Sequence, residues 1–303
     1  MILRSKAPLR ISFGGGGTDV SPYPEEHGGA ILSATICKYT YVSLISRPDD
    51  KITAQSLDYD TSVNYEANGK MTYDGQLDLV KAATKVLKIE HGCDLFLHSD
   101  APLGSGLGSS SSLVVALVGL LREWQRLPLT PYEIAEIAYH IEREELGIKG
   151  GKQDQYAAAF GGFNFIEFLG ESTIVNPLRI RDNIINELEY RMILCDSGKR
   201  RASAGIIVDQ VDSYLAGTEK VVHALHKTKD LAIAMKKHLL RDEIDEFGAL
   251  LNEAWLTKKQ FSDKITDPYI DELYEVAMKN GAIGGKLLGA GGGGYLLFLC
   301  KLN

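Results

Sequence analysis

Asp100-Ala-Pro-Leu-Gly-Ser-Gly-Leu-Gly-Ser-Ser-Ser-Ser-Leu113 is the stretch from which the rest of this 303-residue chain can be read. Ahead of it, Cys93, Leu95 and Leu97 alternate with Asp94, Phe96 and His98, the period of two that suits a strand. Behind it, Leu113 to Leu121 is apolar and free of breakers until Arg122 and Glu123, which reads as a mostly buried helix. The first turn of a helix has unbonded N–H groups at the positive end of its dipole. Glycines let the backbone itself close around phosphate oxygens. A flexible loop with a serine cap is the plain alternative. The flanking strand and helix, and four serines at the helix start, favour a phosphate cradle over Gly104, Ser105, Gly106, Leu107, Gly108, Ser109 and Ser110.

Two familiar forms of such a loop do not fit. A Walker A loop needs Gly-Lys followed by Ser or Thr. The Gly-Lys pairs here, at Gly69, Gly151, Gly198 and Gly285, are never followed by either. A dinucleotide fingerprint needs an acidic residue about 20 positions on, at a strand end. That distance lands on Gln125 to Thr130, which offers neither. The string from Pro102 to Ser111 instead resembles the ATP loop of the GHMP small-molecule kinases, a superfamily that includes galactokinase, homoserine kinase and mevalonate kinase.

Length suits one large or two moderate domains, and the net charge of −7 argues against a general nucleic-acid or membrane-surface role. Cys37, Cys93, Cys195 and Cys300 sit far apart in apolar runs and read as buried free thiols of a reducing compartment. No basic-then-apolar leader and no membrane-length apolar run is present, so the expected location is cytoplasmic.

Near the start, a strand-like run from Leu9 to Phe13 falls into four consecutive glycines and then Thr18 and Asp19. Such a run is costly in a loop unless something approaches the backbone closely. A pocket floored by Gly16 and Gly17, with Asp19 accepting hydrogen bonds from hydroxyls, is favoured over a plain turn. Ala7, Pro8, Arg10, Gly15, Thr18 and Asp19 match the first motif of the same superfamily. Gly16-Gly17 replaces the Glu-His of galactokinases, which points away from galactose and toward the heptose-phosphate and fucokinase-like members.

Ala30 to Ile45 suits one or two strands, Lys51 to Glu66 short strand pieces, and Asn68-Gly69 a hairpin turn. Leu77 to Leu87 has helical spacing. Thr130, Pro131 and Glu133 form a helix start with a capping box, and Gly147 a helix stop. Glu142 and Glu144 would ordinarily be solvated there, but acids oppose the dipole at a helix C-terminus and a nearby cation would account for them. By resemblance Glu142 binds Mg²⁺, and Asp154, in Gly151-Lys-Gln-Asp-Gln155, is the base.

Phe163 to Leu169 reads as a strand, residues 170 to 187 as turns closing the first domain, and Tyr190 to Cys195 as a buried strand. Lys199, Arg200 and Arg201 then precede a helix. They are either a basic turn or a site for a bound anion. Residues 203 to about 280 read as helices, with Lys236, Lys237 and His238 solvated. Gly281 to Phe298 holds a second four-glycine turn, including Gly291 and Gly292, and resembles the third superfamily motif.

The resemblance, running from residue 7 to 299, implies an α+β, two-domain GHMP-kinase-like fold. A ribosomal-protein-like βαβ first domain would cover 1–185 and a ferredoxin-like second domain 186–303. It implies ATP- and Mg²⁺-dependent phosphorylation of a sugar, with the anomeric hydroxyl of D-glycero-D-manno-heptose 7-phosphate as the expected acceptor. A neutral-sugar kinase, a non-catalytic sugar and ATP sensor, and a decarboxylase of the superfamily are the alternatives. Asp154 would take the sugar proton or orient the hydroxyl, with Arg10 holding it ionised. Ser110 and Glu142 would hold Mg²⁺. Gly16, Gly17, Thr18, Asp19, Arg200, Arg201, Gly291 and Gly292 would position the substrate. Expected partners are ATP and a sugar or sugar phosphate, with no nucleic acid and no membrane, and a homodimer is allowed.

Overall fold

The computed structural model describes residues 1–69, 71–200 and 204–302. In chain order its elements are β1 (Ile2–Gly14), α1 (Tyr23–His27), β2 (Gly29–Ser46), β3 (Lys51–Ser56), β4 (Thr61–Glu66), α2 (Asp78–Val86), β5 (Cys93–Ser99), α3 (Ser109–Gln125) and α4 (Pro131–Tyr139). A π-helical turn, His140–Glu145, continues α4, and α5 (Gln153–Phe160), β6 (Phe163–Leu169), β7 (Ser172–Pro177), α6 (Asp182–Arg191) and β8 (Met192–Asp196) follow. The chain ends through α7 (Ala204–Leu215), α8 (Glu219–Leu240), α9 (Ile244–Lys258), α10 (Pro268–Lys279), β9 (Ala282–Leu287) and β10 (Tyr295–Cys300).

Strands β4-β3-β5-β2-β6-β7 form one sheet, with β1 paired along β2, and β8-β10-β9 form a second, antiparallel one. Strand β2 is long enough to pair with β5 over Thr40 to Ser46 and with β6 over Gly29 to Ala34. Its inward residues Val42 and Leu44 meet Leu95 and Leu97 of β5, and α3 covers them with Leu117 and Leu121. This is the alternation that a sheet covered on one face requires.

The ladder between β1 and β2 is irregular between Pro8 and Arg10. Pro8 has no N–H to give the ladder. The amide of Arg10 leaves the pairing and donates to the carbonyl of Leu107, at 3.0 Å. Ser112 Oγ donates to the carbonyl of Pro8, at 2.8 Å. One bulge thereby fastens the first strand to the glycine loop and to the helix behind it.

A second core joins the two halves. Phe13, Leu32 and Phe165 of the large sheet pack with Met235 and Leu239 of α8, Phe247 and Leu251 of α9, and Leu297 and Leu299 of β10. The Phe13 and Phe247 rings meet edge-on, with centroids 5.3 Å apart. The expected division at 185/186 falls inside α6, whose Ile184 and Leu188 belong to this shared core.

Several expectations need correcting: of the four cysteines only Cys93 is buried, and Cys37 is exposed. Asn68-Gly69 does turn, with the Gly69 amide donating to Glu66, but no strand follows among the described residues before β5. The hairpin partner of β4 is β3, and its turn lies over residues 57–60. The chain after Gly69 is instead drawn to α2, where Asp78 accepts from the Gly75 amide at 2.7 Å. Residues 170 to 187 contain β7 and most of α6 rather than turns alone. The buried apolar residues of α6, Ile184 and Leu188, lie four apart on a mostly polar helix, a thin signal. Tyr190 lies in the last turn of α6, and β8 is an edge strand with Ile193 and Leu194 exposed rather than buried. Lys236 is partly covered, its ammonium lying 3.5 Å over the Phe165 ring, while Lys237 is exposed. His238 bonds Glu243 at 2.6 Å. No described helix is long and apolar enough to cross a membrane.

Candidate active site

The glycine loop alternates into left-handed backbone at Gly104, Gly106 and Gly108, with φ of 76°, 78° and 75°. Gly108 is the N-cap of α3, and no side chain caps it. That disposes of the serine-cap alternative and leaves the first-turn N–H groups uncapped by any side chain, the arrangement an anion can use. The four serines are occupied differently. Ser109 donates to Pro102 and Ser112 to Pro8. Ser111 accepts from Gln155, and Ser110 Oγ donates to Glu142 Oε1 at 2.7 Å.

Glu142 is not solvated. The π-helical turn carries it inward, and it is 1% exposed. Gln155 Nε2 donates to its other oxygen, and Arg143 stands 3.8 Å away. A widened turn of this kind, at a place where a side chain must point inward, is common at functional sites. Glu144 behaves as a surface acid and pairs with His140 at 2.7 Å.

Asp154 sits in the first turn of α5, where the helix dipole favours a carboxylate. Arg10 grips it with Nε at 2.7 Å from Oδ1 and Nη2 at 2.8 Å from Oδ2. Arg10 Nη1 donates to the Gly106 carbonyl at 2.6 Å, so one guanidinium spans the acid and the glycine loop. Asp19 is fully buried and accepts from the Gly17 amide, the Gln153 amide and Gln153 Nε2 at 3.0–3.1 Å. Burial pushes its carboxyl up, the amide of Gln153 opposes this, and the charge of Asp154 adds to it. A Cβ on Gly151 would lie 1.9 Å from Asp19 Oδ2, so only glycine lets the two segments meet.

The second four-glycine turn closes the site from the C-terminal half. A Cβ on Gly289 would lie 2.7 Å from the Gly106 Cα, and the Tyr295 amide donates to Ser105 at 3.0 Å. Between the loops lies a cavity of about 200 Å³. Arg10, Gly16, Gly17 and Asp19 line it from the first motif, and Gly104, Gly106, Gly108, Ser109 and Ser110 from the loop. Glu142, Asp154 and Gly291 complete the expected set that it brings together.

Other expected residues do not line the cavity. Thr18, Ser105 and Leu107 are buried behind its wall, where Thr18 Oγ1 donates to Gly15 at 2.8 Å. The Gly292 amide donates to the carbonyl of Ile265, at 2.8 Å. Lys199 and Arg200, read as a basic turn or an anion site, have acidic partners of their own. Lys199 pairs with Asp267 at 2.6 Å, and Arg200 takes both oxygens of Asp196 at 2.6 and 2.7 Å. Arg201 lies outside the described residues.

Among the lining residues that the sequence did not single out are Ser12, Gln153, Lys258 and Lys286. Ser12 Oγ and Gln153 Oε1 are buried without a partner. Lys258 and Lys286 are buried in the cavity wall, with Lys258 Nζ 3.1 Å from Leu287 O and Lys286 Nζ 3.0 Å from Phe13 O. Lys258-Lys259 looks like a solvated helix end, and Lys286 is masked by the glycines around it. The remaining signal was a lysine inside an apolar strand run without a nearby acid. A second, mostly apolar cavity of about 440 Å³, walled by Leu77, Val80, Leu97 and Leu113, adjoins the first and shares Ser109 and Ile148 with it.

A glycine-rich helix start facing a paired acid and guanidinium, in a cleft between two sheet units, is the architecture of a phosphoryl-transfer enzyme. Known proteins agree. Residues 78–162 match the family profile described as GHMP kinases N terminal domain, and residues 235–303 the one described as GHMP kinases C terminal. The chain is 41% identical to a D-glycero-alpha-D-manno-heptose 7-phosphate kinase of Campylobacter jejuni, over 98% of this chain and 88% of that one. It superposes with a TM-score of 0.82 on a D-glycero-D-manno-heptose 1-phosphate kinase from Bacteroides thetaiotaomicron, at 36% identity, covering 99% of this chain and 89% of that one. Lactococcus lactis galactokinase, at 21% identity and a TM-score of 0.79 over 99% of this chain and 85% of that one, shares the fold. The chain belongs to the GHMP kinase family and is an ATP-dependent kinase.

Proposed function

We propose that the protein transfers the terminal phosphoryl group of ATP to the anomeric hydroxyl of D-glycero-D-manno-heptose 7-phosphate, giving the 1,7-bisphosphate. The observation that carries the chemistry is the Arg10–Asp154 pair facing the glycine loop across one cavity. The 41% identical heptose 7-phosphate kinase supports the acceptor.

Asp154 accepts the proton of the attacking hydroxyl, or orients it, and Arg10 holds the carboxylate in place beside the phosphate. Backbone N–H groups at the start of α3 bind the phosphates, and the adjoining apolar cavity takes the flat base of the nucleotide. Asp19, Gly16 and Gly17 hold the sugar, with Ser12 Oγ and Gln153 Oε1 as unpartnered acceptors for its hydroxyls. Ser110 and Glu142 fit Mg²⁺. They are hard oxygen donors side by side, and among the described residues no cluster of three or more His, Cys, Asp or Glu competes as a metal cage. Mg²⁺ typically takes one or two protein oxygens and completes its shell from phosphates and water. When bound, it neutralises charge on the phosphate oxygens. The four free thiols suit a reducing, cytoplasmic location.

The test is a panel of sugars and sugar phosphates with MgATP, scored by ADP release and product mass. Heptose 7-phosphate should turn over best and gain one phosphate. Equal use of free fucose or galactose would move the reading to a neutral-sugar kinase. ATP and sugar binding without ADP release would make the protein a sensor.

A further inference from the structure

Two lysines in the cavity wall have no task in the chemistry above. Lys258 ends α9 and Lys286 lies in β9, and they are 8% and 5% exposed. Lys258 Nζ donates to the carbonyls of Leu287 and Gly289, and Lys286 Nζ to that of Phe13. An ammonium carries three N–H donors. One on Lys258 and two on Lys286 therefore find no acceptor among the described residues. The charges acting on Lys258 are Lys286 and Arg10, and on Lys286 Arg10 again, all of them positive. Asp154, the acid beside them in the cavity, is already held by two nitrogens of Arg10. Buried cations with donors to spare are costly. Bracing a backbone carbonyl needs a donor but no charge, so bracing alone does not account for two lysines.

Their positions say what is missing. Gly289, which receives Lys258, packs on Gly106 of the phosphate loop. Phe13, which receives Lys286, stands directly before the glycine turn on the sugar side. We propose that Lys258 and Lys286 form a phosphate-binding pair beneath the two glycine turns, donating to the oxygens of a phosphoryl group held in the cavity. The pair lies where two phosphoryl groups can reach it, the terminal one of the nucleotide and the one the sugar already carries. The proposal rests on the sugar-phosphate kinase reading above. Burial, with Arg10 adding to it, pushes Lys286 down to about 7, and Lys258 lies well below its ordinary range for the same first reason. An arriving dianion favours the charged form of both.

The test compares Lys258→Met and Lys286→Met with wild type by titration calorimetry against two ligand pairs. One pair is a non-hydrolysable ATP analogue and ADP. The other is heptose 7-phosphate and the free heptose. Each variant should bind the more phosphorylated member of one pair about tenfold or more weakly, the size of a lost charge-assisted bond, and leave its partner unchanged. The pair that responds identifies which phosphate is held. Lys258→Gln and Lys286→Gln, which keep a donor for the carbonyls, serve if the methionine variants do not fold. Folded variants that bind all four ligands within twofold of wild type overturn the proposal and leave the lysines as backbone braces. Failure of the kinase reading shows separately, as wild-type protein that makes no bisphosphate, and does not disturb the binding comparison.

Discussion

Arg10 and Asp154, 144 residues apart in the chain, meet in a two-pronged ion pair, with the guanidinium almost fully buried and the carboxylate about one-fifth exposed. The exposed part of the acid faces the cavity that the glycine loop lines. The buried part is fixed by a cation that also bonds the loop. One side chain thus ties the proposed proton acceptor to the proposed phosphate cradle, which is what transfer between two held substrates asks for.

Asp154→Asn should retain MgATP binding and lower kcat by ~10²–10⁴, the range for losing a general base. Steady-state ADP release alongside nucleotide titration checks this. Activity within a few fold of wild type would falsify the assignment of Asp154 as the acceptor of the proton.

Glu142→Gln and Ser110→Ala should each shift the Mg²⁺ activation curve to higher concentration and weaken ATP binding, without changing the preferred sugar. The two carry adjacent oxygens 2.7 Å apart, so their effects should be less than additive in the double variant. Magnesium curves that superpose on wild type would make both positions structural.

Gly106→Ala should destabilise the fold as well as the reaction. Gly106 has φ of 78°, and a Cβ there would lie 2.7 Å from the Leu288 carbonyl. The left-handed backbone alone costs ~1–2 kcal/mol for a residue with a Cβ. Thermal melts should show a lower Tm, with ATP giving less protection than it gives wild type. An unchanged Tm would mean the two turns can separate freely.

Arg200→Ala should act on stability and leave the KM for sugar phosphate within about twofold. The Arg200 guanidinium holds Asp196 down to about 2, below its ordinary 3.8. A depressed carboxyl stabilises the fold above its unfolded value and loses that contribution as pH falls through the folded one. The difference between variant and wild type should therefore be present at neutral pH and vanish between about 3.8 and 2. The pair is part-exposed, so its size should not exceed ~1 kcal/mol. Urea melts at several pH values test the first part. A large rise in KM would bring Arg200 back into the substrate site.

Sequence alone was enough for the glycine loop and its flanking strand and helix, because period-two and helical spacing and alternate glycines are local properties. It also located the capping box at Thr130, Pro131 and Glu133, which the structure reproduces bond for bond. It could not see that Glu142 turns inward, because one widened turn rotates a side chain without changing composition. Nor could it see that Arg200 and Lys199 have acidic partners, since Asp267 lies 68 residues from Lys199. The pairing of Arg10 with Asp154 was expected from resemblance, while its two-pronged geometry came from the fold.

By itself, then, the sequence determined many of the elements, the glycine loop and the kinase family, all of which rest on short-range pattern. Tertiary structure alone decided which charges are spent and which are free. Burial, and the carboxylates that long-range contacts bring up, set the state of each cation. Arg200 is paired with Asp196, whereas Lys258 and Lys286 are walled in with no carboxylate bonded to either among the described residues. Desolvation strengthens any interaction those two lysines make, and it acts only once distant parts of the chain have closed around them.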